Sequence, residues 1–219
     1  MLSCSVGERA RALHSGSTPP TAEPAPKMDR LFITVVSGLP RSGTSMAMQM
    51  LVAGGLAALT DCIREADDNN PRGYLEFERV KALRVDKAWV PDAVGKCVKV
   101  IHLLLPELPP AFTYRVIFMQ RSLDEVVRSQ AKMLERNGRA GGGLTADRLK
   151  AMYEAQLKSV DGWLAARTNF SVLRVDHANF MSGPRDTALA MDAFVGGGLD
   201  VAAMAAAVDP SLHRNRTRG

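Results

Sequence analysis

A glycine-bounded loop at residues 38–45 carries the side chains best suited to chemistry in this chain. It follows a β-branched apolar run at residues 33–36 and precedes a helix-compatible segment at residues 46–52. The free N–H groups of such a loop, together with the N-terminus of the helix after it, attract an anion. Arg41 adds a positive charge inside the loop. The pattern predicts a site for a phosphate-like anion, formed by Arg41, Ser42, Gly43, Thr44 and Ser45.

The loop has the length of the nucleoside-triphosphate motif G-x-x-x-x-G-K-[ST], but Thr44 stands where that motif has lysine. The nearest cation is Arg41, three residues earlier. No second acidic strand is recognisable as a magnesium ligand. The pattern therefore argues against an ATPase or GTPase and favours a loop that binds its anion with arginine.

Residues 39–45, Leu-Pro-Arg-Ser-Gly-Thr-Ser, resemble the phosphosulfate-binding loop of sulfotransferases, which reads Pro-(Lys/Arg)-(Ser/Thr)-Gly-Thr-(Thr/Ser). The family's 3′-phosphate motif is an arginine at the end of a strand and a serine eight residues later. Arg121 and Ser129 have that spacing, after the strand-like run 114–120. The resemblance spans residues 28–219. It implies 3′-phosphoadenosine 5′-phosphosulfate as co-substrate, no metal, and transfer of a sulfuryl group to an unknown hydroxyl or amine acceptor.

The acceptor must lose a proton, so a base is needed. Distant sulfotransferases place a glutamate in the region after the first helix, which makes Glu76 the favoured base and Glu65 an alternative. His102 is the rival, because Lys99-Val-Ile-His102 resembles the family's Lys-Thr-His segment with one residue too many. A one-residue shift in a strand moves a side chain to the opposite face. The resemblance also makes Arg214 and Arg216 candidates for a basic segment that contacts the 3′-phosphate.

Composition restricts the class of protein. The chain has 219 residues, a formal charge of +5, a pI near 9.3 and 46% hydrophobic residues, which suits one globular domain with an anionic ligand. Nucleic acid is disfavoured because no lysine-arginine cluster is interleaved with aromatic residues. Three cysteines without C-x-x-C spacing favour a reducing, cytoplasmic compartment over a disulfide framework or a zinc site. No apolar run is long enough to span a membrane.

Strand-like and helix-like segments alternate from Leu31 onward. Strands are expected at residues 31–37, 96–104, 113–119 and 171–175. Helices are expected at 46–51, 122–129, 149–164 and 187–194, with Ser122 and Glu125 forming a capping box on the second. This order predicts an α/β fold of three layers like that of P-loop proteins, with a central parallel sheet and helices on both faces. Ligands of such sheets bind beyond the carboxyl ends of the strands.

Residues 1–27 are rich in Ser, Pro, Ala, Thr and Gly and read either as a disordered tail or as sequence before a true start at Met28, with residues 28–219 as the domain. The domain is short for a sulfotransferase, which implies a reduced acceptor pocket or one shared across a homodimer. Two other functions stay open: a nucleotide kinase or hydrolase of the P-loop class, and a non-catalytic nucleotide-binding protein.

Overall fold

The computed structural model describes residues 30–61, 74–136 and 144–208. Within these ranges four strands form one sheet in the spatial order β2-β1-β3-β4, and every pairing is parallel. The strands are β1 Ile33–Gly38, β2 Cys97–Lys99, β3 Tyr114–Gln120 and β4 Phe170–Asp176. Because β2 and β3 lie on opposite sides of β1, the strand order reverses at β1. Such a point opens a crevice at the carboxyl ends of the strands.

The same ranges contain six α-helices and three short 3₁₀ segments. The helices are α1 Thr44–Ala53, α2 Leu123–Arg136, α3 Ala146–Ala165, α4 His177–Ser182, α5 Pro184–Phe194 and α6 Val201–Ala206. The 3₁₀ segments are Glu78–Ala82, Val90–Ala93 and His102–Glu107.

Alternate residues of each strand enter two separate cores. Val35 and Val116 are fully buried on one face, in a core that includes α3 and the 3₁₀ segments. Val36 and Ile117 are fully buried on the other face, against α1, α5 and α6. Burial on both faces explains why the strands are continuous apolar runs. The predicted three-layer α/β fold with a parallel central sheet is confirmed.

The predicted strand at residues 96–104 is wrong beyond Lys99. The amide of Val100 still donates to the carbonyl of Val36 at 3.0 Å, but β1 ends two residues later, at Gly38. Without a neighbour to pair with, the chain turns into the 3₁₀ segment His102–Glu107, which contains Pro106. An apolar run alone cannot distinguish a strand from this alternative.

The other predicted elements are present with bounds shifted by at most about three residues, except that α2 extends to Arg136, well beyond its predicted end at Ser129. In α3, Tyr153, Val160 and Leu164 are buried, whereas Met152 is 39% exposed. Glu125, expected to cap α2, accepts a hydrogen bond from Arg121 at 2.8 Å. No helix in the described ranges is both long and apolar enough to cross a membrane.

Some sequence predictions lie outside the described residues. They concern the 1–27 segment, Cys4, Cys62, the candidate base Glu65, the turn at 67–73, the glycine-rich segment 138–143, and the basic residues Arg214 and Arg216.

Candidate active site

The loop between β1 and α1 requires glycine at positions 38 and 43 for steric reasons. Gly38 has a φ of 147°, and a Cβ there would lie 2.6 Å from the Ser42 Oγ and 2.7 Å from the Met119 carbonyl. Gly43 has a φ of 102° and is the N-cap of α1. A Cβ there would lie 3.0 Å from the Cδ2 of His177. Both positions therefore bring backbone close to neighbours that a side chain would displace.

Ser42 is buried and stabilises the turn of the loop. Its hydroxyl donates to the Leu39 carbonyl at 2.7 Å, its amide donates to the same oxygen at 3.2 Å, and the residue is 1% exposed. Thr44 and Ser45 begin α1, so their amides belong to the first turn, where helix N–H groups have no partner in the helix. Ser42 therefore supports the loop, and the amides of Gly43, Thr44 and Ser45 are the remaining candidates for binding an anion.

A cavity of about 480 Å³ lies at the carboxyl ends of the strands, which is within the usual range for small-molecule sites. The loop, the residues after β2 and β3, and the start of α4 all contribute to its wall. Among the predicted site residues, it is lined by Arg41, Gly43, Thr44, Ser45, Glu76 and Arg121.

The predicted 3′-phosphate residues lie beside the loop, although they are far from it in sequence. The Nε of Arg41 donates to the Ser129 Oγ at 3.1 Å, and the Nη1 of Arg121 donates to the Arg41 carbonyl at 3.1 Å. The Nε of Arg121 also donates to the Glu125 carboxylate, at 2.8 Å. The Arg121 and Glu125 side chains are only 9% and 15% exposed, so this ion pair is shielded from solvent. Arg121 keeps three of its five N–H donors for a ligand.

Two non-glycine residues of the described chain have left-handed backbone, and both belong to this site. Arg41 has a φ of 69°, and Leu75, between the cavity-lining residues Tyr74 and Glu76, has a φ of 47°. Such a conformation costs about 1–2 kcal/mol in a residue with a Cβ. Strain of this kind is concentrated at functional sites, where the surrounding structure maintains it.

Lys99 lines the cavity, although the sequence analysis did not assign it to the site. Its Nζ lies 2.9 Å from the Ser45 Oγ, 3.1 Å from the Glu76 Oε1 and 3.3 Å from the Tyr74 carbonyl oxygen. The register pairs Lys99 with Val36, so its side chain points to the face that carries α1. An ammonium group therefore reaches the start of α1 from β2, although the loop itself has no lysine.

Glu76 and His102, the two candidate bases within the described residues, have different environments. Glu76 lines the cavity and forms a partly buried ion pair with Lys99, with side-chain exposures of 23% and 15%. His102 is 1% exposed, and its Nε2 lies 2.9 Å from the Gln156 Oε1 on α3. It is not among the residues that line the cavity. The geometry therefore favours Glu76 over His102.

His177 also reaches the cavity, at the end of β4, where its ring packs against Gly43. Its position directly after a strand was the available signal, since strand ends converge on such sites. Cys97, two residues before Lys99, is fully buried, and burial raises the pKa of its thiol to about 12. That thiol is protonated at neutral pH and is not a nucleophile. The described residues contain no group of three His, Cys, Asp or Glu side chains arranged around a metal site.

Neither a protein family profile nor a curated protein matches this chain. Among solved structures it is similar to the sulfotransferase domain of the olefin synthase from Synechococcus PCC 7002, with 15% identity, 82% of this chain and 85% of that chain covered, and a TM-score of 0.47. It is also similar to a sulfotransferase domain of the curacin biosynthetic pathway, with 12% identity, coverages of 86% and 92%, and a TM-score of 0.48. Because both likenesses are this distant, the function must be inferred from the site itself.

Proposed function

We propose that this protein is a sulfotransferase that uses 3′-phosphoadenosine 5′-phosphosulfate to sulfate a hydroxyl or amine acceptor. One observation carries the proposal. The first turn of α1 is approached by two groups of residues: Arg41 and Arg121 with the Ser129 hydroxyl, and the Lys99–Glu76 ion pair. The first group suits a phosphate, and the second provides a cation and a base beside the loop.

The donor's phosphosulfate would bind the amides of Gly43, Thr44 and Ser45 with Arg41. Fixed donors of this kind stabilise the charge that develops on the leaving phosphate as the bond to sulfur breaks. Arg121 and Ser129 would hold the 3′-phosphate, for which a guanidinium offers two parallel N–H groups. Lys99, 2.9 Å from the Ser45 Oγ, would neutralise the sulfuryl oxygens during transfer.

Glu76 would act as the general base. The acceptor atom attacks sulfur and forms the new bond, while the bond between sulfur and the bridging phosphate oxygen breaks and its electron pair leaves with the nucleotide. The acceptor's proton passes to Glu76 and then to water. The products are the sulfated acceptor and adenosine 3′,5′-bisphosphate.

A nucleotide kinase or hydrolase is the second candidate. The Lys99 ammonium at Ser45 favours it, because it brings to the loop the charge that Thr44 does not supply. A non-catalytic nucleotide-binding protein would use the same loop without the base. The three functions differ in the nucleotide they prefer and in whether they turn it over.

A comparison of nucleotides by thermal shift tests the proposal. Adenosine 3′,5′-bisphosphate without magnesium should stabilise the protein more than AMP, ADP or ATP. At about 100 times the Kd, mass action predicts about 2.7 kcal/mol of added stability. Equal or greater stabilisation by ATP with magnesium would support the kinase or hydrolase. Binding of the bisphosphate without consumption of the sulfuryl donor in the presence of any acceptor would support the non-catalytic protein.

A further inference from the structure

His177 lines the cavity but takes no part in the steps of the proposed transfer. It is the first residue of α4 and is only 5% exposed. The strand register explains its position, because Gly38 pairs with Met119 and Gln120 pairs with Asp176. The strands β1 and β4 therefore end at nearly the same level of the sheet, and His177 lies beside the loop that follows β1.

The imidazole ring of His177 presents one edge to the start of α1. A Cβ at Gly43 would lie 3.0 Å from the Cδ2 of the ring and 3.8 Å from its Nε2, whereas its Nδ1 is buried. Gly43 is the N-cap of α1, and its amide is one of the candidates for binding the anion. An anion oxygen bound to that amide lies close to Nε2. This nitrogen can donate a hydrogen bond in either the neutral or the protonated ring.

The strand order places His177 and Lys99 on opposite sides of the loop. Lys99 ends β2 on one side of β1, whereas β3 and β4 lie on the other side. Lys99 is paired with Glu76, the proposed base, so its side of the loop is where the sulfuryl group meets the acceptor. Arg121, the proposed 3′-phosphate residue, follows β3 on the other side. The nucleotide therefore extends toward β3 and β4, and the phosphate end of the phosphosulfate faces His177.

The surroundings of Nε2 favour a strong hydrogen bond to an anion. The Cε of Met119 lies 3.5 Å from the same Cβ position at Gly43, so the ring edge has an apolar neighbour. A hydrogen bond is electrostatically stronger where water is excluded. A hydrogen bond to a charged group contributes roughly ten- to 150-fold in affinity.

We propose that His177 is a binding residue for the 5′-phosphate of the donor, and that its Nε2–H donates to a phosphate oxygen that the Gly43 amide also binds. The inference rests on the proposed function, since it concerns the same nucleotide. No covalent bond to His177 forms, and no proton leaves it. As the bond between sulfur and the bridging oxygen breaks, its electron pair stays on this phosphate, and the Nε2–H helps to stabilise the added charge.

Two substitutions of similar length test the proposal. Glutamine places an N–H donor near the position of Nε2, and methionine fills about the same space without a donor. In calorimetry on the full chain, His177→Met should weaken the binding of adenosine 3′,5′-bisphosphate about tenfold or more, whereas His177→Gln should stay within about threefold of the wild type. Equal losses in the two variants would overturn the proposal, because they would show that the ring only packs against Gly43.

A second nucleotide assigns the effect to one phosphate. Adenosine 3′-phosphate lacks the 5′-phosphate, so its affinity should be nearly the same for the wild type and His177→Met. If His177→Met weakened both nucleotides equally, His177 would not act on the 5′-phosphate, and the proposal would be wrong.

Failure of this inference is distinguishable from failure of the proposed function. If adenosine 3′,5′-bisphosphate does not bind to the wild type, the sulfotransferase proposal fails first. If it binds to the wild type and binds as tightly to His177→Met, the role of His177 alone is wrong.

Discussion

Arg121→Ala separates recognition of the 3′-phosphate from the rest of nucleotide binding. Arg121 has three N–H donors left after its bonds to Glu125 and to the Arg41 carbonyl. A hydrogen bond to a charged group contributes about 1.5–3 kcal/mol. Loss of the guanidinium should therefore weaken the binding of adenosine 3′,5′-bisphosphate by about 2–3 kcal/mol, which raises its Kd roughly 30- to 150-fold.

The substitution has a second effect, because it leaves the Glu125 carboxylate without Arg121 in a region where that side chain is 15% exposed. Its repulsion of a phosphate bound beside it would add on the order of 1 kcal/mol. The double variant Arg121→Ala with Glu125→Gln removes this repulsion. It should recover about 1 kcal/mol of affinity relative to Arg121→Ala alone, and the difference should shrink as salt is added.

Calorimetry with two ligands makes the measurement specific. Adenosine 5′-phosphosulfate lacks the 3′-phosphate, so its affinity should be nearly the same for the wild type and Arg121→Ala. The matched control is Arg174→Ala, which removes an arginine paired with Asp161 at 2.7 Å, 43% exposed and absent from the cavity wall. That control should change neither affinity. If Arg121→Ala weakened both nucleotides equally, the assignment of Arg121 to the 3′-phosphate would be wrong.

Three further substitutions test the base and the loop. Glu76→Gln should lower turnover by about 10²–10⁴, the usual contribution of a positioned base, with nucleotide affinity near wild type in calorimetry; normal turnover would place the base elsewhere. Arg41→Gly should be more stable to urea than Arg41→Ala by about 1 kcal/mol, because only glycine relieves the left-handed backbone; equal stabilities would contradict the strain at this residue. Gly43→Ala should lose about 1 kcal/mol more stability than Gly55→Ala, because both glycines have positive φ but only at Gly43 would the new Cβ meet neighbours within 4 Å, His177 and Met119. Equal losses in urea denaturation would show that these contacts are unimportant.

Local features of the sequence were sufficient to predict the β1–loop–α1 unit. A β-branched run, two glycines and a helix-compatible segment act within a few residues of one another, so their effect does not depend on distant parts of the chain. The position of Arg121 at the end of β3 follows for the same reason. The alternation of such units was also enough to predict a parallel sheet with covered faces.

The sequence could not predict where an apolar run would stop pairing. Residues 96–104 have the composition of a strand throughout, yet β2 ends at Lys99, because a strand needs a partner and β1 ends at Gly38. The sequence could not predict the environment of His102 either. Its environment depends on a 3₁₀ segment that packs against α3, more than 40 residues later in the chain.

Only the tertiary structure identified Lys99 as part of the site. The resemblance of residues 99–102 to a Lys-Thr-His segment drew attention to His102 and gave Lys99 no role, and Lys99 is 54 residues from Ser45 along the chain. The register of β1 with β2 pairs it with Val36 and turns it toward α1, where its ammonium group forms an ion pair with Glu76. Register is decided by which side chains the two cores bury, and a shift of one residue would have pointed Lys99 away from the loop. The sequence by itself determined the loop and its arginine, whereas the packing of the sheet determined which distant charges meet it.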